Sequence, residues 1–221
     1  MINDIKLAKA MFDLAPQKRG LYLELMILIG FGAFYLSSGD SEMLYCGMLF
    51  ISMAPVFVIQ YMETFCFAEV VASSEVMKRV QTKILPMVAF VSVLLGFAVD
   101  IIIVLVAKNK GIISEEALTS SLIRVVICML GIMLYLVIAL KYFVAGTVFY
   151  LLVIACATFV FDGYVKGWLA RLNVTFQSAA LFCAAALVLT WLLSKVIASV
   201  LYAKPIDSIN RTRLLSRMVG R

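Results

Sequence analysis

A chain of 221 residues that is 64% hydrophobic and 14% charged cannot cover a water-soluble fold with polar side chains. Its net charge of +6 is modest and gathered at particular breaks, which points to membrane topology and anionic headgroups and excludes a nucleic-acid surface. The absence of histidine excludes histidine metal sites and histidine general bases, the H-E-x-x-H pattern among them.

Taken in chain order, the first fifteen residues place Ile2, Ile5, Ala8, Phe12 and Ala15 three and four apart, on one helical face. Asp4, Lys6, Lys9 and Asp13 fall mostly on the other side. Pro16 ends this helix, and Gln17-Lys18-Arg19-Gly20 turns the chain into an apolar stretch. With no uninterrupted apolar core and no small-residue cleavage site before that stretch, the segment is not read as a cleavable signal peptide. Residues 1–20 are expected to form an amphipathic helix lying in the inner headgroup layer.

Six apolar stretches follow, near residues 21–36, 43–67, 84–106, 122–140, 143–161 and 178–201. Each approaches the roughly 20 residues that carry a helix across a bilayer core. The predicted fold class is an all-α membrane protein, with one domain of six transmembrane helices over residues 21–202 and a basic cytoplasmic tail at 203–221. Only Lys141 and Tyr142 separate the fourth and fifth stretches, which predicts a tight helical hairpin. Gly30, Gly32 and Ala33 in the first stretch, and Ala179, Ala180, Cys183 and Ala184 to Ala186 in the sixth, predict close helix contacts. The five cysteines all fall inside apolar stretches without a C-x-x-C pair, and read as small packing residues.

Basic residues orient these spans. Thirteen of them lie in one set of breaks: the N-terminal segment, Lys78, Arg79 and Lys83, Lys141, and the C-terminal tail. The opposite set holds four, Lys108, Lys110, Lys166 and Arg171. This asymmetry predicts cytoplasmic N- and C-termini. Tyr61, Tyr142 and Tyr202 are then expected in an inner aromatic belt, with Tyr35, Tyr45, Tyr164 and Trp168 in an outer one.

The break at residues 68–83 reads AEVVASSEVMKRVQTK. Ser73 or Ser74 suits a helix N-cap, Glu75 the positive end of the helix dipole, and Lys78 and Arg79 its later turn. Val76 and Val80, with Met77 beside them, supply a small apolar face. A short helix of this kind projecting into the cytoplasm has the shape to dock in a groove on a partner. Among ionisable residues in or near the spans, Glu63, Asp100 and Lys195 are the candidates for a polar pathway or a buried polar role, and Glu63 and Lys195 lie at similar predicted depth. In the break at 162–177, Val165, Trp168, Leu169 and Leu172 predict a short helix at the outer interface.

There is no G-x-S-x-G elbow and no G-x-x-x-x-G-K-[ST] phosphate loop, so ATP is not used through the usual loop on this chain. No catalytic, cofactor or metal residues are predicted. The layout of an amphipathic helix at 2–15, six spans, a segment at 73–79 between the second and third, and a helix-forming break at 162–177 resembles the permease subunits of type-2 ABC exporters. The small exporters of amphipathic, phenol-soluble-modulin-type peptides are the most similar. The proline usual near the coupling helix of small members is missing here. The resemblance implies a bacterial plasma-membrane permease that moves peptides outward, powered by a separate ATPase subunit that carries ATP and magnesium. It implies a second permease copy, or a related permease, as partner. Ser73, Ser74, Glu75, Val76, Met77, Lys78 and Arg79 would couple to the ATPase, and Ile2, Ile5, Ala8 and Phe12 would form the connecting helix. The alternatives are the substrate-binding membrane subunit of an energy-coupling-factor vitamin importer, whose A-x-x-x-A docking face the first span lacks, and a membrane accessory protein with no transport pathway.

Overall fold

The computed structural model describes residues 2–14, 18–36, 40–58, 78–111, 113–139, 141–172 and 174–203. Glu63, Ser73, Ser74, Glu75, Val76, Met77 and the tail from residue 204 lie outside the described residues. Within them every regular element is helical. Helix α1 (Ile2–Leu14) is followed by α2 (Lys18–Leu36) and α3 (Ser41–Ser52), which continues past a turn at Met53 to Val58. A π turn (Val80–Ile84) leads into α4 (Leu85–Lys110), and α5 spans Glu115–Ala139. Then come α6 (Phe143–Ala155), a second π turn (Cys156–Val160), α7 (Phe161–Leu172) and α8 (Phe176–Leu201).

Four of these stretches are long and apolar enough to cross a membrane: Ser41–Val58, Val80–Lys110, Glu115–Ala139 and Phe176–Leu201. Leu21–Leu36 and Val144–Val160 are apolar but shorter. The helices overrun the apolar stretches from which they were predicted. Helix α5 begins at Glu115, where Glu115 and Glu116 suit the positive end of the helix dipole. The fifth stretch runs through its π turn directly into α7, so Trp168 sits on an extension of that helix and not on a separate one.

Helix α5 is the hub, packed against α3, α4, α6, α7 and α8. Leu122, Val125, Met129 and Ile132 are fully enclosed there. Helix α2 leans on α3 and turns Tyr22, Leu23, Met26 and Phe34 away from the chain. Its crossing with α3 is made by Gly32 and Gly47: a Cβ on Gly47 would sit 2.9 Å from the Gly32 carbonyl oxygen. Gly30 and Ala33 face outward, so only one of the three small residues predicted to pack does so within this chain. On α8, Ala179, Cys183, Leu187 and Ala198 turn inward while Leu181 and Phe182 face out.

The predicted hairpin is present. The Tyr142 N–H donates to the Ile138 carbonyl at 2.8 Å, and a Cβ on Gly146 would lie 3.1 Å from the backbone of Ala139. At this end of the bundle Lys141 donates to the Leu201 carbonyl, which supplies the C-terminus of α8 with a cation. The Tyr202 hydroxyl donates to the Val137 carbonyl at 3.0 Å, so Tyr202 is buried and does not belong to an aromatic belt. The π turn at Val80–Ile84 lies here too, with α1 against it. At the opposite end Gly111, at φ 64°, closes α4 in the left-handed conformation that glycine tolerates best. These are the Lys141 end and the Gly111 end.

Candidate functional site: a buried polar seam along α5

Arg124, Cys128, Gly131 and Tyr135 recur at four, three and four residues along α5, a spacing that puts them on one stripe. That stripe faces α3 and α6. On α3 the matching stripe is Tyr45, Met48 and Ser52, with Glu42 one turn before Tyr45. Arg124 is 1% exposed, an arrangement that demands partners for its charge.

Its partners come from two other helices. Both oxygens of the Glu42 carboxylate accept from the guanidinium, from Nη1 and from Nη2, each at 3.2 Å. The ring of Tyr45 covers the guanidinium, with its centroid 3.9 Å from Cζ. Nε donates to the Ala157 carbonyl at 3.2 Å. That carbonyl is available because of the second π turn: the N–H of Phe161 donates to Cys156, five residues back, instead of to Ala157. The same turn carries Thr158, whose hydroxyl lies 3.0 Å from the Tyr45 hydroxyl. Tyr45 is therefore a wall of this site and not an outer-belt residue, because its position on α3 points at α5.

A second polar contact lies deeper. Asp100 on α4 is fully buried, and its Oδ2 accepts from the Ser52 hydroxyl at 2.9 Å. The same hydroxyl lies 2.8 Å from the Met48 carbonyl. Asp100 Oδ1 has no hydrogen-bond partner among the described residues. Just beyond Ser52, Pro55 has no N–H to offer the preceding turn, which accounts for the break in α3 at Met53. Further along the seam Tyr135 and Tyr150 stack with centroids 5.3 Å apart.

The structure places the other predicted residues elsewhere. Lys195 lies with Nζ 3.4 Å above the Trp191 ring, so its described neighbour is an aromatic face. Lys78 and Arg79 are helical and run without interruption into the Val80–Ile84 π turn. In α1, Leu7 and Ala8 pack against the core cluster, while Ile5 is 53% exposed. Ile2 and Phe12 are in α1 as predicted.

Arg124 and Glu42 were not singled out from the sequence. The signal for Arg124 was present: a guanidinium nine residues into a helix otherwise apolar enough to cross a membrane. Glu42 sits at the end of an apolar stretch, 82 positions away, and only the fold pairs them. Among the described residues no three cysteine or acidic side chains converge as a metal site would require. Among the described contacts, the seam holds a fixed guanidinium with the Glu42 carboxylate on it and hydroxyls along its wall. Comparison with protein-family models, curated proteins and solved structures finds no match to this chain.

Proposed function

We propose that this chain is the membrane permease subunit of an ATP-driven ABC exporter in a bacterial plasma membrane. It crosses the bilayer six times, with both termini in the cytoplasm, and a separate ATPase powers the outward movement of amphipathic peptides. One observation supports this reading best: α1 packs against the π turn at Val80–Ile84, immediately after residues 73–79. Helix α1 therefore packs, at the Lys141 end, against the turn that follows the segment expected to grip a motor. From that point α4 runs as a single helix to Lys110 and carries Asp100 into the interior. A push on residues 73–79 would be transmitted along α4 to its contact with α3. The exposed Ile5 then faces headgroup-layer lipid, as an interfacial helix requires.

The test is copurification with a separate ATPase subunit, together with peptide export from cells. Replacing Val76, Met77 and Lys78 together by alanine is expected to lower export about tenfold or more while the permease remains folded in the membrane. ATPase association and export at the original level after that change would remove the coupling role. Purification with no ATPase at all would favour the accessory-protein reading.

A further inference from the structure

We propose that Lys195 on α8 binds the phosphate of an anionic phospholipid in the leaflet at the Lys141 end, with the Trp191 indole as the platform on which its ammonium rests. The inference depends on the apolar helices crossing a bilayer and not on the exporter reading.

The platform is built across two helices. Trp191 and Phe90 of α4 stack with ring centroids 4.6 Å apart and planes within 16° of parallel. The Lys195 Nζ lies 3.4 Å from the centre of the same indole. Two groups at those distances would collide on one face, so Phe90 and the ammonium occupy opposite faces. The indole N–H is buried and has no hydrogen-bond partner among the described residues, so the ring is held by what covers its faces. The ring attracts the cation but does not satisfy three N–H donors as oxygens would.

The ammonium is open to the lipid side of the bundle. Lys195 is partly exposed, and its neighbours along α8, Leu192 and Val196, face outward. A cation in such apolar surroundings is costly without an anion. Among the described residues no carboxylate pairs with it. The bilayer supplies the missing charge. Lys195 stands six residues, about 9 Å, before Leu201 at the end of α8, within reach of that leaflet's headgroups on a flexible stem. Exposed Lys83, on the π turn that also packs against α8, adds positive charge at this end. Two cations there favour an anionic headgroup over a zwitterionic one, which brings a positive charge of its own.

Lipid titration of the purified protein in a neutral detergent tests the site. Phosphatidylglycerol should raise the unfolding midpoint in a saturable manner, by roughly 5–10 °C at about a hundred times the dissociation constant. Phosphatidylcholine and inorganic phosphate should do much less, and Lys195→Met should lose most of the shift. The proposal fails if phosphatidylglycerol leaves the parent protein unshifted, or if phosphatidylcholine or inorganic phosphate stabilises as well. It fails equally if Lys195→Met responds in full, which would place the lipid elsewhere. Where Lys195→Met does not survive purification, Trp168→Phe leaves Trp191 as the single tryptophan of the chain. Its emission should then change saturably with phosphatidylglycerol and not with phosphatidylcholine; an emission unmoved by phosphatidylglycerol, or moved equally by both lipids, overturns the site.

Discussion

Arg124 and Asp100 are both enclosed by this bundle, and the chain treats them in opposite ways. Around Arg124 it brings a carboxylate, an aromatic face and a backbone carbonyl freed by a π turn, drawn from α3 and from the α6–α7 helix. Around Asp100 it brings the Ser52 hydroxyl, and among the described residues Oδ1 has no hydrogen-bond partner. The difference follows from the groups. A guanidinium keeps its charge under any accessible condition and must be compensated wherever it is buried. A carboxyl can become neutral, and then a single hydroxyl partner is enough. Among the described residues, the first site cross-ties three helical segments, whereas the second links α3 to α4.

The largest effect should come from the less buried member of the Arg124 pair. Glu42→Ala removes the two-oxygen partner of a buried guanidinium, which costs about 3–5 kcal/mol. Arg124→Met leaves Glu42 half-exposed, where water can solvate it, and chiefly orphans the Ala157 carbonyl; about 1–3 kcal/mol is expected. Comparing detergent unfolding midpoints of the two variants checks this ordering. Equal losses would mean that the pair acts as an ordinary surface bridge.

Next in size is the α5–α6 hairpin, on which the position of the π turn depends. Gly146 meets the Ala139 backbone at 3.1 Å, and backbone yields less readily than a flexible side chain. Gly146→Val should therefore cost about 1–3 kcal/mol through overpacking. Gly30→Ala, which meets open space, should change little or stabilise by helix propensity. Thermal unfolding of both variants separates a packing glycine from an incidental one.

The hairpin was legible in the sequence because two polar residues between apolar stretches leave the chain no other path. The helical class was legible because apolar length is a local property. The Arg124 site was not, for three physical reasons. Its pair spans 82 positions, so no local period links them. Its third ligand is a backbone carbonyl, which has no residue type to read. And the π turn that frees that carbonyl arises in CATFV, a segment with no proline to mark it. The other π turn does carry a mark, since Pro86 just after it cannot donate to Thr82. Tyr45 and Tyr202 were assigned to belts by depth alone. Depth does not say which side of the helix a tyrosine occupies, and both turned inward.

The smallest expected effect bears on the weaker of the two buried sites. Asp100→Asn keeps the shape of the side chain and an oxygen for the Ser52 hydroxyl, and adds an amide with two donors. If the carboxyl is neutral in the folded bundle, this exchange of one neutral polar group for another should change stability by less than about 1 kcal/mol. Asp100→Leu instead removes the acceptor and adds bulk in a closed site, at about 1–3 kcal/mol. The measurement is unfolding of both variants beside Ser52→Ala, with the Asp100→Asn/Ser52→Ala pair completing a double-mutant cycle. A loss from Asp100→Asn as large as that from Glu42→Ala would show that Asp100 carries a charge the bundle needs. The contrast with Arg124 would then collapse, and the two sites would have to be understood as parts of one buried charge network running from α3 to the α6–α7 helix.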